Sequence, residues 1–292
     1  MTKAVVTQFV DVHHHFWDLE RHRYDWLSGE GWPEETEVIG DYHAIRRTYL
    51  PEDFVRDAAG SGLTQTVHVQ ADWSGPDPVD ETRWLQSLAD KTGLPTAIVG
   101  YADLADPAIE EILAAHAASP NFRGIRSTPD DTRPDDASFR RGIAALEKAS
   151  LSYDLRGTPD NAADAARLAA DFGGLSFIVG HTGEPRGRTE ADRAAWRLAM
   201  RRLAEPPNVA VKISGLGMRD HAWTVESIRP WILETIDIFG VDRCMFGTNW
   251  PVDGLYSTYR DLVAAYRMVV APFSLAEQHA LLAANAERLY RI

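Results

Sequence analysis

The chain has 292 residues, 45% of them hydrophobic, with a formal net charge of −13 and a single cysteine. That length supports a large core, either as one barrel-sized domain or as two smaller ones. The acidic balance argues against a nucleic-acid surface or anionic lipid, and the lone Cys244 excludes an intramolecular disulfide and a cysteine-rich zinc site. The N-terminus lacks a basic-then-apolar leader pattern, and no apolar run approaches membrane-spanning length, so a soluble, cytoplasmic protein is expected. No linker or internal repeat divides the chain, which is therefore read as one domain over residues 1–292. A homo-oligomer is left open.

Taken in chain order, short β-branched or aromatic runs alternate with longer segments of helical spacing. The strands are expected at 9–13 (FVDVH), 64–70 (TQTVHVQ), 96–101 (TAIVGY), 122–126 (FRGIR), 151–155 (LSYDL), 175–180 (LSFIVG), 208–214 (NVAVKIS) and 243–247 (RCMFG). Between them lie helical patterns such as DPVDETRWLQSLADK, SFRRGIAALEKA, EADRAAWRLAMRRLA and VESIRPWILETIDIF. Asp, Ser or Thr stands near several of the first turns, and Gly follows Phe172 and Phe239, as capping requires. Two more helices, at about 257–270 and 274–290, close the chain. This order predicts an α/β fold, a single-domain (β/α)8 TIM barrel. A doubly wound sheet would favour a glycine-rich phosphate loop after the first strand, and here that strand runs into three histidines.

Barrel enzymes collect their chemistry at the C-terminal ends of the strands, where the loops converge. Those positions hold His13 and His15, Gln70 and Asp72, Asp103, Arg126, Asp154 and Arg156, His181, Lys212 and Ser214, and Asn249. The VDVHHHFW stretch is embedded between apolar and aromatic residues, unlike a tag remnant. In an extended chain His13 and His15 share one face and His14 takes the other. Two such imidazoles can bind one divalent metal, orient a substrate oxyanion, or simply be core histidines bonded to backbone. His181, the first polar residue after an apolar strand, adds a third ring, although His-Thr-Gly also reads as a turn opening a helix. Lys212 either snorkels to the rim or carries a charge the site uses. Arg126 is suited to clamp a carboxylate or a lactone carbonyl, or else pairs with a rim aspartate.

The motifs VDVHHHFWD, VHVQADW, FRGIR, HTGEP, VAVKISGLGM and RCMFGTNWPVD, in that order, resemble the amidohydrolase-related family of barrel hydrolases. The nearest branch holds sugar lactonases and 2-pyrone-4,6-dicarboxylate lactonase, and the match runs from about residue 9 to NAERLYR. The resemblance implies that His13, His15 and His181 are the family's metal-binding histidines, holding one zinc or, as in some lactonases, none. A fifth-strand histidine and a bridging fourth-strand group have no counterpart here, which argues against a binuclear centre. Where relatives carry an eighth-strand aspartate as general base, this chain has Asn249, and an amide takes up no proton at neutral pH. Asp253, four residues on, is either a substitute that reaches the pocket or an ordinary turn residue before Gly254; Asp72, Asp154 and neutral His181 are other candidates for the base.

The 16–50 segment is long and carries Trp17, Tyr24, Trp26, Trp32, Tyr42 and Tyr49. It is expected to fold over the pocket mouth as a lid, with His22 or His43 as further candidates for its lining. Trp73, Met218, Trp223 and Trp250 follow other strand ends and suggest an apolar wall, fitting a small ring with few polar groups. The PDDTRPDD run (129–136) is expected to be a solvated loop. The functional expectation is hydrolysis of a small cyclic ester, a sugar lactone or a carboxylated lactone. His181, Asn249, Asp253 and Lys212 would act catalytically, with Arg126, Gln70, Asp72, Asp154, Trp73 and Trp250 on the substrate. A lyase acting on a small carboxylated substrate and a non-catalytic small-molecule binder are the alternatives.

Overall fold

The computed structural model describes residues 7–29, 31–127 and 134–292. Eight strands form one parallel sheet in sequence order: β1 (Phe9–His14), β2 (Leu63–Val69), β3 (Ala97–Gly100), β4 (Phe122–Arg126), β5 (Ser152–Leu155), β6 (Ser176–Val179), β7 (Val209–Ile213) and β8 (Cys244–Phe246). The sheet closes on itself beyond the end of β8. Asn249 N donates to His13 O at 2.7 Å, and His15 N donates to Trp250 O at 2.8 Å. The (β/α)8 barrel read from the alternation of patterns is the observed architecture, and each expected strand lies within two residues of its place.

In the β1–β2 connection stand two short helices, α1 (Pro33–Ile39) and α2 (Pro51–Asp57). Each begins with proline, whose missing N–H falls where a helix has no internal partner for it. The outer ring continues with α3 (Val79–Thr92), α4 (Ile109–Ala117), α5 (Ala137–Lys148), α6 (Ala162–Asp171), α7 (Glu190–Ala204), α8 (Val225–Phe239) and α9 (Tyr259–Val270). Caps set several of these bounds. The Asp136 carboxylate accepts from Ser138 N and Phe139 N at the head of α5, and Thr189 and Thr224 open α7 and α8 with reciprocal capping boxes. Within the expected solvated loop at 129–136, residues 129–133 lie outside the described residues; only its end, leading into Asp136, is described.

The last helix departs from expectation. Instead of one run over 274–290 there are α10 (Leu275–His279), a π turn (Ala280–Ala284) and α11 (Asn285–Tyr290). The wider turn delivers Asn285 to the end of the barrel, where its amide donates to Val241 O at 2.7 Å and Cys244 O at 2.8 Å. Val10, Val12, Val67, Val69, Val99, Ile178, Ala210 and Met245 pack with Ala283, Ala286 and Tyr290 as the filling of the barrel. The larger cluster, with Phe177, Val211 and Phe246, joins the strands to the helices. Cys244 is buried, as a small hydrophobe should be.

Candidate active site

The register of β1 decides which histidines face the mouth. Pairing with β2 runs Asp11↔Thr66 and then His14↔His68, a shift of one residue. Val10 and Val12 belong to the barrel filling, so unbroken alternation would have sent His14 inward. The irregularity reverses the parity. His13 and His15 line the cavity, while His14 packs outside against Phe16, Phe54 and His68.

The three cavity imidazoles form one cluster. The rings of His13 and His181 are 4.3 Å apart between centroids, and those of His13 and His15 are 5.0 Å apart, edge to face. His15 Nδ1 lies 2.8 Å from Val69 O, so that nitrogen carries the proton and Nε2 is left as a lone pair. His181 Nδ1 lies 3.0 Å from Ser214 Oγ. Both ring nitrogens of His13 are buried without a hydrogen-bond partner. Burial pushes His15 down to about 3, with Arg126 adding to it, and holds His13 and His181 well below the usual histidine range. All three are neutral at physiological pH and offer lone pairs.

His181 ends β6 in a left-handed turn, with φ of +47° for itself, +58° for Thr182 and +47° for Glu184. Such backbone is uncommon for residues bearing a Cβ and clusters at functional sites. Trp196 Nε1 holds the turn by donating to Thr182 O at 2.7 Å. The turn brings Glu184 to the cavity wall, where it takes both ends of the Arg156 guanidinium, at 2.7 and 3.2 Å.

The cavity encloses about 560 Å³ at the C-terminal ends of the strands. Of the candidate residues, His13, His15, Asp72, Arg126, Asp154, His181 and Asn249 line it, together with Met218. The loop after β1 supplies Trp26, Trp32, Glu35, Val38 and Ile39. It is anchored by Trp26 Nε1 on Ala71 O at 2.8 Å and, at its base, by reciprocal backbone bonds between Trp17 and Tyr49. Glu35 and Glu184 are cavity groups the sequence reading did not single out. Glu184 sits inside the HTGEP motif, so its adjacency to His181 was an available signal; Glu35 becomes visible only once α1 is folded over the mouth.

Other candidates stand elsewhere. Gln70 is buried beside the rim, and its carbonyl accepts from Arg126 Nη2 at 2.6 Å. Lys212 lies behind Asp154, its Nζ 2.6 Å from Oδ2 and 5.2 Å from the centre of the Tyr290 ring. Burial lowers its pKa while Asp154 opposes the shift. Trp73 packs on His22 and Tyr24, and Trp250 turns outward with His14, its Nε1 3.1 Å from Asp57 Oδ2. Neither tryptophan belongs to the cavity wall, nor do Trp223, His22 or His43. Asp253 is buried beneath Asn249, whose Nδ2 donates to its Oδ1 at 3.1 Å.

The donor chemistry suits one divalent ion: neutral imidazoles, one of them with both nitrogens orphaned in a buried site. Among the described residues no three His, Cys, Asp or Glu side chains are already placed as a finished metal cage. His13, His15 and His181 are the groups that would close on an ion. Among the described residues, too, no helix is long and apolar enough to cross a membrane.

A parallel eight-stranded barrel whose first-strand histidines meet the histidine after β6 at the C-terminal mouth has its candidate site where barrel enzymes carry their chemistry. The chain belongs to the amidohydrolase family, whose description matches residues 10–292, and is an amidohydrolase-family hydrolase. It is 41% identical over 298 residues to an uncharacterized protein of Sinorhizobium fredii, covering 97% of this chain and 98% of that one. With an L-fucono-1,5-lactonase of Burkholderia ambifaria it shares 32% identity over 267 residues, 86% of this chain and 83% of the relative. Crystal structures of an amidohydrolase from Burkholderia multivorans, 29% identical, superpose with TM-scores of 0.83 with bound HEPES and 0.82 with bound zinc. Each covers 98% of this chain and 99% of theirs.

Proposed function

We propose that the protein hydrolyses a sugar lactone, a neutral polyhydroxylated cyclic ester, in the cavity at the barrel mouth. The observation that carries this reading is the pairing of three neutral imidazoles with a wall of hydrogen-bond acceptors. Glu35, Asp72 and Glu184 line the cavity and suit sugar hydroxyls, which donate. Arg156 is held by the Glu184 carboxylate, while Arg126 donates to the neutral Gln70 carbonyl and keeps its charge, which suits one developing oxyanion better than the two charges of a dicarboxylate. The similarity to lactonases at 32% and 31% identity supports the same reading.

In this reading a neutral imidazole takes the proton of the attacking water, a task worth about 10²–10⁴ in rate. The water oxygen bonds to the lactone carbonyl carbon, the ring C–O bond breaks, and the ring oxygen leaves as a hydroxyl after receiving that proton. Arg126, whose Nε is buried without a partner, faces the charge that develops on the carbonyl oxygen. A zinc ion held by His13, His15 and His181 would occupy those lone pairs and supply polarisation of the carbonyl or of the water in their place. The apolar faces of Trp26, Trp32 and Ile39 close over the ring and keep bulk water out.

The test is acid release from L-fucono-1,5-lactone and other aldonolactones, followed with a pH indicator, against 2-pyrone-4,6-dicarboxylate. Turnover of sugar lactones at kcat/KM above 10-fold that of the dicarboxylate is expected. Carbon dioxide release without acid from any lactone would instead make the protein a lyase.

A further inference from the structure

The eighth strand presents an amide where a hydrolase of this kind is expected to present a carboxylate, and a carboxylate lies directly behind it. Asn249 Nδ2 donates to Asp253 Oδ1 at 3.1 Å, while Asp253 N donates back to Asn249 O at 3.2 Å. Asp253 is 1% exposed, and its second oxygen has no side-chain partner. On its other side Asn249 stands against His15, and it lines the cavity, which Asp253 does not. Two elements therefore meet at one amide: the β1 imidazole in front and the one-turn helix Val252–Leu255 behind.

An asparagine side chain has two nearly isosteric ends with opposite hydrogen-bonding character, and nothing in its shape decides which faces the cavity. A buried carboxylate does decide it. An ionised Asp253 accepts and never donates, so it binds the NH2 end. We propose that Asp253 is a positioning residue: by holding Nδ2 of Asn249 it turns the amide oxygen to the cavity, giving the barrel mouth an acceptor for the attacking water. The asparagine then aligns the water, as an aspartate in this place would, without taking its proton; the proton goes to an imidazole. Burial raises Asp253 to about 7, with the Asn249 hydrogen bond opposing that rise, so the ionised form gains population as pH rises through neutrality.

Backbone geometry does not account for the pair. Asn249 has φ of +56°, a conformation that Asn and Asp both tolerate. Either residue fits there, which makes the exchange of the two a clean probe. The proposal rests on the lactonase reading for its kinetic arm, and a spectroscopic arm reads it without turnover.

Three variants of the full chain test it with L-fucono-1,5-lactone: Asp253→Asn, Asn249→Asp, and the double exchange Asn249→Asp/Asp253→Asn. Freed to face either way, the amide in Asp253→Asn lowers kcat by about 10- to 100-fold, with KM within threefold and an unchanged circular dichroism spectrum. The exchange keeps an amide–carboxylate hydrogen bond and places an acceptor at the mouth, so it recovers kcat to within about fivefold of the parent. A kcat in Asp253→Asn within twofold of the parent would overturn the proposal. So would a parallel loss of kcat, KM and fold that the exchange leaves unrepaired, the signature of a purely structural contact. The side-chain NH2 resonances of Asn249, assigned by their absence in Asn249→Asp, report the pair directly in 15N-labelled protein. Slow exchange with solvent in the parent, lost in Asp253→Asn, supports the positioning even if no lactone is turned over. Fast exchange in both overturns it.

Discussion

The ring of His13 lies 4.3 Å from the ring of His181, centroid to centroid, although β1 and β6 stand far apart around the barrel. Burial and the neighbouring cations and imidazoles keep both rings neutral before substrate binds, so each presents a lone pair rather than a charge. His13→Ala and His181→Ala are each expected to lower kcat/KM on a sugar lactone by at least about 100-fold. Zinc added at about 100 times its dissociation constant should stabilise the parent by about 2.7 kcal/mol. Neither variant should show that gain. Thermal melts with and without zinc, beside steady-state kinetics, check both expectations; equal zinc-induced shifts in parent and variants would remove these rings from the metal site.

The Lys212–Asp154 pair stands inside the barrel with both side chains buried, 0% and 4% exposed. Removing one member leaves the other charge buried and unpaired, which typically costs about 3–5 kcal/mol. Lys212→Met should lose that much in urea denaturation. Lys212→Met/Asp154→Leu should recover most of it, since two apolar groups leave no charge behind. A double variant as unstable as the single one would mean that the pair positions the barrel filling rather than balancing charge.

Much of this was legible in the sequence, and the reasons are local. All eight strands are short apolar runs flanked by turn residues, and Phe239-Gly240 marks the end of α8 as a glycine cap should. His13, His15 and His181 could be picked out because polar residues are conspicuous at the ends of apolar strands. Features that depend on a partner element stayed hidden. The register shift at Asp11–His14 exists only in the pairing with β2, and the outward turn of Trp250 only in the closure onto β1. The π turn at Ala280–Ala284 follows from what Asn285 must reach, and a helical pattern alone carries no trace of it.

Glu81 is a buried carboxyl raised to about 8, mainly by burial. It accepts from Ala71 N at 3.1 Å and Tyr24 OH at 3.4 Å, tying the β1–β2 loop to the end of β2. In the unfolded chain its pKa is near the ordinary value of 4.5. Between those two values the folded protein holds a proton that the unfolded chain has released. The contribution is therefore intact below about pH 4.5 and is lost as pH rises to about 8. The slope is up to about 1.4 kcal/mol per pH unit. Glu81→Gln removes the titration, so its stability relative to the parent should rise by up to about 3 kcal/mol between pH 6 and pH 8. Parallel urea titrations at the two pH values measure this; an unchanged difference would show that Glu81 is ionised in the folded state throughout.

Trp32 contributes an exposed indole, 38% accessible, to the cavity mouth from just before α1. Little core depends on it, so Trp32→Ala should change stability by less than about 0.5 kcal/mol. The indole covers the bound ring rather than the reacting bond, so the variant should raise KM several-fold and leave kcat within twofold. A loss in kcat with KM unchanged would place Trp32 in the chemical step instead.

Arg156 and Glu184 meet at the cavity wall in a two-pronged ion pair, the arginine from the loop after β5 and the glutamate from the turn after β6. The carboxylate is 5% exposed and the guanidinium 47%, so the acid is the buried member of the pair and the arginine the one open to the cavity side. Glu184→Gln keeps the shape and one acceptor while deleting the charge. It should lower kcat/KM for a neutral sugar lactone by about 10-fold, through the weakened contact with substrate hydroxyls. It should also raise kcat/KM for 2-pyrone-4,6-dicarboxylate, because removing one negative charge beside Arg156 favours a carboxylate ligand there, a charged hydrogen bond being worth about 1.5–3 kcal/mol. The two substrates must therefore move in opposite directions. A variant that loses both activities together would show that the ion pair holds the wall in place and takes no part in choosing between neutral and anionic rings.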